Sequence, residues 1–235
     1  MTRLTFTMAE EMNVTASDGR FARVRLIAFD LDGTLIDSSR DLITAVNAAR
    51  ARMGMGALDD PTVLSYIGQG ARDLMRQALG EGATEERVDA GLLYFREYYA
   101  EHLLDFTRPY PGVVPALEQL QGRTLAVLTN KPLRFAMPIL ERLGLVPRFA
   151  RIYGEDSFPR KKPDPMGMQA LLEGFGVAAH QALLVGDSEI DMETARHAGT
   201  WACGVSYGLG SHRLHLCPPD LLISDLRELV GELGI

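Results

Sequence analysis

Short, uninterrupted apolar runs alternate with longer stretches of helical spacing along most of this chain. Val24-Arg25-Leu26-Ile27-Ala28-Phe29 ends at Asp30, with Gly33 close behind. A run this short, closed by turn residues, predicts a buried parallel strand followed by a loop. Leu125-Ala126-Val127-Leu128 and Ala182-Leu183-Leu184-Val185 repeat the pattern, Arg151-Ile152-Tyr153 gives a shorter version, and 202–205 reads as a last core strand. Residues 133–143, 165–174 and 190–198 have helical spacing, and 225–232 reads as a closing helix. Strands alternating with helices predict a parallel sheet covered on both faces, a three-layer, Rossmann-like α/β core.

The stretch between the first two strand runs follows a different rule. Ser38-Ser39-Arg40-Asp41 has the form of a capping box, with Ser38 placed to cap and Asp41 to reach back. Leu42, Val46 and Ala49 continue at helical spacing, and further helices are expected near 60–66, 70–79 and 84–104. Tyr94, Tyr98 and Leu103 are expected to face the core of this unit. No strand run interrupts 39–107, so these residues read as an all-helical insertion. Arg108-Pro109-Tyr110-Pro111-Gly112 ends it as a linker. The expected division is a loose extension over 1–22, a core made of 23–38 with 108–235, and the inserted unit 39–107. Met8 and Met12 are alternative starts within the extension, which lacks the apolar stretch of a signal peptide.

Composition narrows the functional classes. Hydrophobic residues make up 46% of 235, enough to bury a substantial core. The net charge is -7 and no Lys/Arg run occurs, which argues against binding to a nucleic-acid backbone. An anionic substrate would therefore be drawn by a local site against the overall charge. No run of eighteen apolar residues predicts a membrane span. Cys203 and Cys217 lack paired metal-ligand spacing and fit a reducing cytosol, so a cytoplasmic location is expected. The five histidines have no metal-ligand spacing tied to a motif.

Candidate chemistry collects where the strand runs end, the edge at which α/β sheets build their sites. Four polar clusters stand there: Asp30-Leu31-Asp32-Gly33-Thr34, Thr129-Asn130-Lys131, Lys161-Lys162-Pro163, and Gly186-Asp187-Ser188-Glu189-Ile190-Asp191. Each alone is an ordinary turn or helix start; four at successive strand ends are hard to explain structurally. Carboxylates brought together repel, and a divalent cation relieves them; oxygen-only ligands suit Mg²⁺. A lysine and a threonine hydroxyl nearby suit phosphoryl oxygens. No Walker-type Gly-x-x-x-x-Gly-Lys occurs. Gly68-Gln69-Gly70 begins like a dinucleotide fingerprint, but Asp73 holds the third glycine position and no strand precedes it.

With these motifs in this order, the sequence resembles the haloacid dehalogenase superfamily from about residue 24 to the end. Tyr110-Pro111-Gly112-Val113, Leu128-Thr129-Asn130-Lys131-Pro132 and Lys161-Lys162-Pro163 resemble its phosphoglycolate phosphatase branch, and the insertion resembles that family's helical cap. The resemblance implies a Mg²⁺-dependent phosphomonoester hydrolase, with 2-phosphoglycolate as expected substrate. A phosphatase for another small phosphate, a pyrophosphatase or a sugar phosphomutase are the alternatives on the same fold, and a non-catalytic binding protein is a further one. Asp30 would be the nucleophile and Asp32 the acid/base; an aspartate at 32 separates phosphoryl transfer from dehalogenation. Asp30 and Asp187 would hold the metal by side chains and Asp32 by its main-chain carbonyl. Asp191 would support from behind, Thr129 and the Asn130 amide would grip phosphoryl oxygens, and Lys162 would neutralise Asp30 and the transferring group. Gly68 and Arg72 are candidate substrate contacts from the cap. Lys131 either reaches a substrate carboxylate or lies in solvent. The expected partner is a small anionic phosphate, acted on by a monomer or homodimer.

Overall fold

The computed structural model describes residues 19–235. The strands among them are β1 (Leu26–Phe29), β2 (Ile36–Asp37), β3 (Arg108–Pro109), β4 (Thr124–Leu128), β5 (Arg151–Tyr153), β6 (Ala182–Gly186), β7 (Trp201–Val205) and β8 (Leu221–Ile223). Six form one parallel sheet in the order β5-β4-β1-β6-β7-β8. Parallel strands need crossovers, and the helices supply them. After β3 come α5 (Val113–Gln119), α6 (Leu133–Arg142), α7 (Met166–Phe175), α8 (Glu189–Ala198) and α9 (Glu228–Glu232), numbered after four helices of the insertion.

Alternation along the strands builds two cores. Ile27, Phe29, Val127 and Val185 face one side, where α5, α6 and α9 cover them. Leu26, Ala28, Leu128 and Leu184 face the other, under α7 and α8. The result is the three-layer α/β core that the spacing predicts. Because β1 is flanked by β4 and β6, with Phe29 level with Val127 and Val185, the residues after these strands emerge side by side.

The insertion consists of α1 (Ser39–Arg52), α2 (Asp60–Ser65), α3 (Ala71–Leu79) and α4 (Glu85–Glu101). Asp59 caps α2 by accepting from the Thr62 N–H at 2.8 Å. On α4 the buried face is Val88, Leu92, Phe95 and Tyr99, with Gly91 between. Of the three residues expected to face this core, Leu103 is buried in it, and Tyr94 and Tyr98, half-buried, pack against its side. Both stripes have helical spacing, and the tertiary packing selects the one that includes Phe95. β2 and β3 pair antiparallel where the chain leaves and re-enters the core.

Four expectations change. β7 is not the last strand, since β8 follows on the sheet edge. Its run is three residues long with Leu222 57% exposed, too short and too open for periodicity to reveal. The linker at 108–112 leads into α5, which Pro115 in its first turn does not prevent. The capping box does not form: the Ser38 hydroxyl donates to Asp32 Oδ1 at 2.5 Å, and Asp41 accepts from residues 106 and 107 instead. Of the loose extension expected over 1–22, residues 1–18 lie outside the described residues. Phe21, by contrast, is 1% exposed and packs edge-on against Trp201 at 5.4 Å; burying an aromatic ring ties that end to the core.

Candidate active site

Three neighbouring strand ends set the frame. Asp30 follows β1, Thr129 follows β4 and Asp187 follows β6, so one carboxylate stands between a hydroxyl and a second carboxylate. Lys162 arrives from the loop between β5 and α7, where the Lys162–Pro163 peptide is cis. Its ammonium donates to Asp30 Oδ1 at 2.8 Å and to Asp191 Oδ1 at 2.5 Å. The lysine side chain is 4% exposed. Burial opposes its charge, but Asp191 and Asp30 more than compensate and hold it above the ordinary lysine value.

Asp30, Asp187 and Asp191 bring carboxylate oxygens within 4.8 Å of one another. Burial pushes Asp30 up to about 6; Lys162 pulls it back, while Asp191 and Asp32 add to the rise. Burial, then Asp191 and Asp30, lift Asp187 well above the usual carboxylate range. Such crowding is what a cation would relieve, and a set of carboxylate oxygens suits a hard dication. The three are not equivalent. Asp191 Oδ1 is held by Lys162, and Oδ2 accepts from the Ser188 N–H at 3.2 Å and the Ser188 hydroxyl at 2.8 Å. Asp187 Oδ2 accepts from the Gly210 N–H at 2.6 Å. Asp30 and Asp187 thus keep oxygens for an ion, whereas both oxygens of Asp191 are engaged by the protein.

Glycines let the backbone close around Asp187. A side chain at Gly33, whose φ is 88°, or at Gly208 would collide with the Asp187 carboxylate. The sequence reading did not include the loop after β7. Its signal was there, Gly208-Leu209-Gly210 directly beyond a strand run.

Asn130 joins three segments. Its Nδ2 donates to the Lys162 and Gly68 carbonyls, both at 3.1 Å, and its Oδ1 accepts from the Lys162 N–H at 3.0 Å. The side-chain amide is therefore fully engaged, and any grip on an anion falls to the Asn130 backbone N–H. Lys131 is buried, which removes the solvent reading. It donates to Asp32 Oδ1 and Oδ2 at 2.9 and 3.1 Å and to the Tyr99 hydroxyl at 2.7 Å. Tyr99, absent from the sequence-derived site, is a phenol pushed up to about 12 by burial.

A cavity of about 60 Å³ lies between the strand ends and the helical insertion, lined on the strand side by Asp30, Asp32, Thr129, Asn130 and Lys131. Gly68 and Gly70 reach it from the insertion. Arg72 does not: its guanidinium bonds Glu85 at 2.6 Å and Asp89 at 2.5 Å on the outer surface. One residue of helical phase decides this, because Ala71 and Leu74 occupy the inward face of α3. The segment before α3 is fastened to the core by its own carbonyls. Arg213 donates to Ile67 at 3.0 Å, Asn130 to Gly68, and Lys161 to Gln69 at 2.5 Å.

A family model described as haloacid dehalogenase-like hydrolase matches residues 27–205. The chain is 40% identical over 215 residues to a phosphoglycolate phosphatase of Pseudomonas savastanoi pv. phaseolicola, covering 88% of this chain and 78% of that one. It is 37% identical over 221 residues to a phosphoglycolate phosphatase of Vibrio parahaemolyticus, covering 90% and 97%. Among solved structures, a predicted phosphoglycolate phosphatase from Haemophilus somnus 129PT superposes with a TM-score of 0.82 at 35% identity, covering 88% of this chain and 97% of that one.

Proposed function

The chain belongs to the haloacid dehalogenase-like hydrolase family, and on that basis we propose that it is a Mg²⁺-dependent phosphatase that converts 2-phosphoglycolate to glycolate and inorganic phosphate through a phosphorylated Asp30. The observation that carries the reading is the Asp30 carboxylate, held at 2.8 Å by Lys162 beside Asp187 and facing the cavity that Asp32 also lines. The substrate comes from the names of the similar proteins.

In the first step an Asp30 oxygen bonds to phosphorus as the ester P–O bond breaks, and Asp32 gives its proton to the departing glycolate oxygen. In the second, water gives a proton to Asp32 and its oxygen bonds to phosphorus. Inorganic phosphate leaves and the Asp30 carboxylate is restored. Lys162 holds one Asp30 oxygen still and balances the charge of the transferring group, while the Thr129 hydroxyl and Asn130 backbone N–H face its oxygens. Mg²⁺ would be held by the Asp30 and Asp187 carboxylates and the Asp32 main-chain carbonyl, with Asp191 behind Lys162; there it would offset the crowded negative charge. Uncatalysed hydrolysis of phosphate monoesters is so slow that accelerations reach about 10²¹-fold, which calls for several such groups acting together.

We read 39–107 as a cap that shields this chemistry from bulk water and limits substrate size. Two buried, unpaired thiols, Cys203 and Cys217, support a cytoplasmic setting. The test is a panel of phosphate esters and pyrophosphate ranked by kcat/KM with Mg²⁺ and with chelator. The expected result is 2-phosphoglycolate at least about tenfold ahead of the rest, with turnover lost on chelation. Preference for pyrophosphate or a sugar phosphate, or turnover without metal, would overturn the proposal.

A further inference from the structure

Two buried lysines approach the site, and the phosphoryl chemistry uses one. Lys162 serves Asp30. Lys131, with 4% of its side chain exposed, pairs instead with Asp32, the carboxylate assigned to the leaving group. An ammonium has three N–H donors; Asp32 Oδ1, Asp32 Oδ2 and the Tyr99 hydroxyl accept from it, the Oδ2 bond at 3.1 Å being the longest and the one a second carboxylate would take over. The Lys131 Nζ also lies 4.7 Å from the centre of the Tyr99 ring, a cation–π contact that holds it over α4.

The surroundings limit what else this ammonium can meet. Among the described residues Lys131 is the one cation lining the cavity, and Leu42, Ile67, Leu74 and Phe135 form its apolar walls. About 60 Å³ is room for about four water molecules, so a bound phosphate ester can place only a short tail there. Among apolar walls a charge pair is stronger than in water, and a tail carrying a second negative charge has one ammonium to meet. A neutral alkyl tail gains nothing from it.

We propose that Lys131, held in place by Tyr99, binds a carboxylate on the leaving group, so that the site selects short phosphorylated carboxylic acids over phosphate esters of neutral alcohols. This rests on the phosphatase reading above but adds the residues that read the substrate. Lys131 is then a specificity-determining contact and Tyr99 its positioning residue.

The experiment compares 2-phosphoglycolate with ethyl phosphate in the Mg²⁺-loaded enzyme and reads the ratio of their kcat/KM values. Wild type is expected to favour 2-phosphoglycolate. Lys131→Met is expected to lower the ratio on the order of 100-fold, mainly through KM for 2-phosphoglycolate. Tyr99→Phe, which keeps the ring, is expected to lower it about tenfold, and Lys131→Arg to retain part of the preference. An equal fall for both substrates in Lys131→Met and Tyr99→Phe would mean that Lys131 serves only Asp32 and would overturn the inference while leaving the phosphatase reading intact. If Lys131→Met does not fold, Tyr99→Phe decides alone, and an unchanged ratio overturns the inference. A wild-type enzyme with no preference for 2-phosphoglycolate overturns the substrate reading and this inference together.

Discussion

Asp41 Oδ2 accepts from both the N–H and the hydroxyl of Thr107, at 2.8 and 2.7 Å. The two residues belong to the two chain crossings between the core and the helical insertion, where β2 and β3 also pair. The Phe106 N–H adds bonds at 3.1 Å to both Asp41 oxygens. A buried carboxylate thus fastens the end of the insertion to its beginning.

Asp41→Ala is expected to cost about 3 kcal/mol, because the buried groups of Thr107 lose their acceptor. Thr107→Val, which removes only the hydroxyl, is expected to cost about 1 kcal/mol. Urea unfolding measures both, and a loss below about 1 kcal/mol in Asp41→Ala would remove the bracket as a source of stability.

Asp30→Asn is expected to reduce kcat by at least about 10⁴-fold, since an amide oxygen cannot form the covalent intermediate. The circular dichroism spectrum is expected to match wild type, as Lys162 keeps its partner Asp191. Measurable turnover in a preparation free of wild-type enzyme would exclude Asp30 as nucleophile.

Mg²⁺ is expected to raise the thermal midpoint as well as to restore activity after chelation. At a hundred times its dissociation constant, a ligand of the native state adds about 2.7 kcal/mol. Asp187→Asn is expected to abolish most of this shift. A variant stabilised by Mg²⁺ as strongly as wild type would show that the ion binds elsewhere.

The metal-free protein is expected to weaken as pH rises past the ordinary carboxylate value. Burial raises Asp30 from 3.8 to about 6, so between these values the native state holds more protons than the unfolded chain. Stability from this group is full below about pH 4 and is lost as pH climbs through about 6, a change of about 3 kcal/mol. Asp187 shifts in the same direction. Without metal, Asp30→Asn is therefore expected to be more stable than wild type at pH 7 and no more stable at pH 4. Chemical denaturation at the two values tests this, and equal differences at both would contradict it.

Arg213→Ala is expected to speed amide hydrogen exchange over residues 65–70 by about tenfold, because it removes a charged donor from the Ile67 carbonyl. KM is expected to rise more than kcat falls. Unchanged exchange there would mean that Asn130 and Lys161 suffice to hold the segment.

Which residues meet was decided at two levels. Short continuous apolar runs, closed by turn residues, marked β1, β4 and β6 in the sequence, and a parallel sheet has its strand ends on one edge. That put Asp30, Thr129 and Asp187 at one edge of the sheet; the strand order sets them side by side, and Asp30 and Asp187 bring carboxylate oxygens within 4.8 Å of each other. An apolar run and the turn that closes it are local features, so a linear reading reaches them. β8 escaped because a three-residue edge strand carries too little pattern.

The rest depends on contacts between segments far apart in the chain. Asp41 looks like a helix-capping residue until Thr107 arrives beside it, and Arg72 looks like a substrate contact until α3 turns Ala71 and Leu74 inward. Tyr99 is one tyrosine among several on α4, and only the packing of that helix over the strand ends brings its hydroxyl to Lys131. The sequence by itself determined the central strands and the chemical groups that follow them, because apolar runs and turn chemistry act over a few residues. The tertiary structure decided which polar side chains pair inside, because a buried charge takes whichever partner the packing delivers.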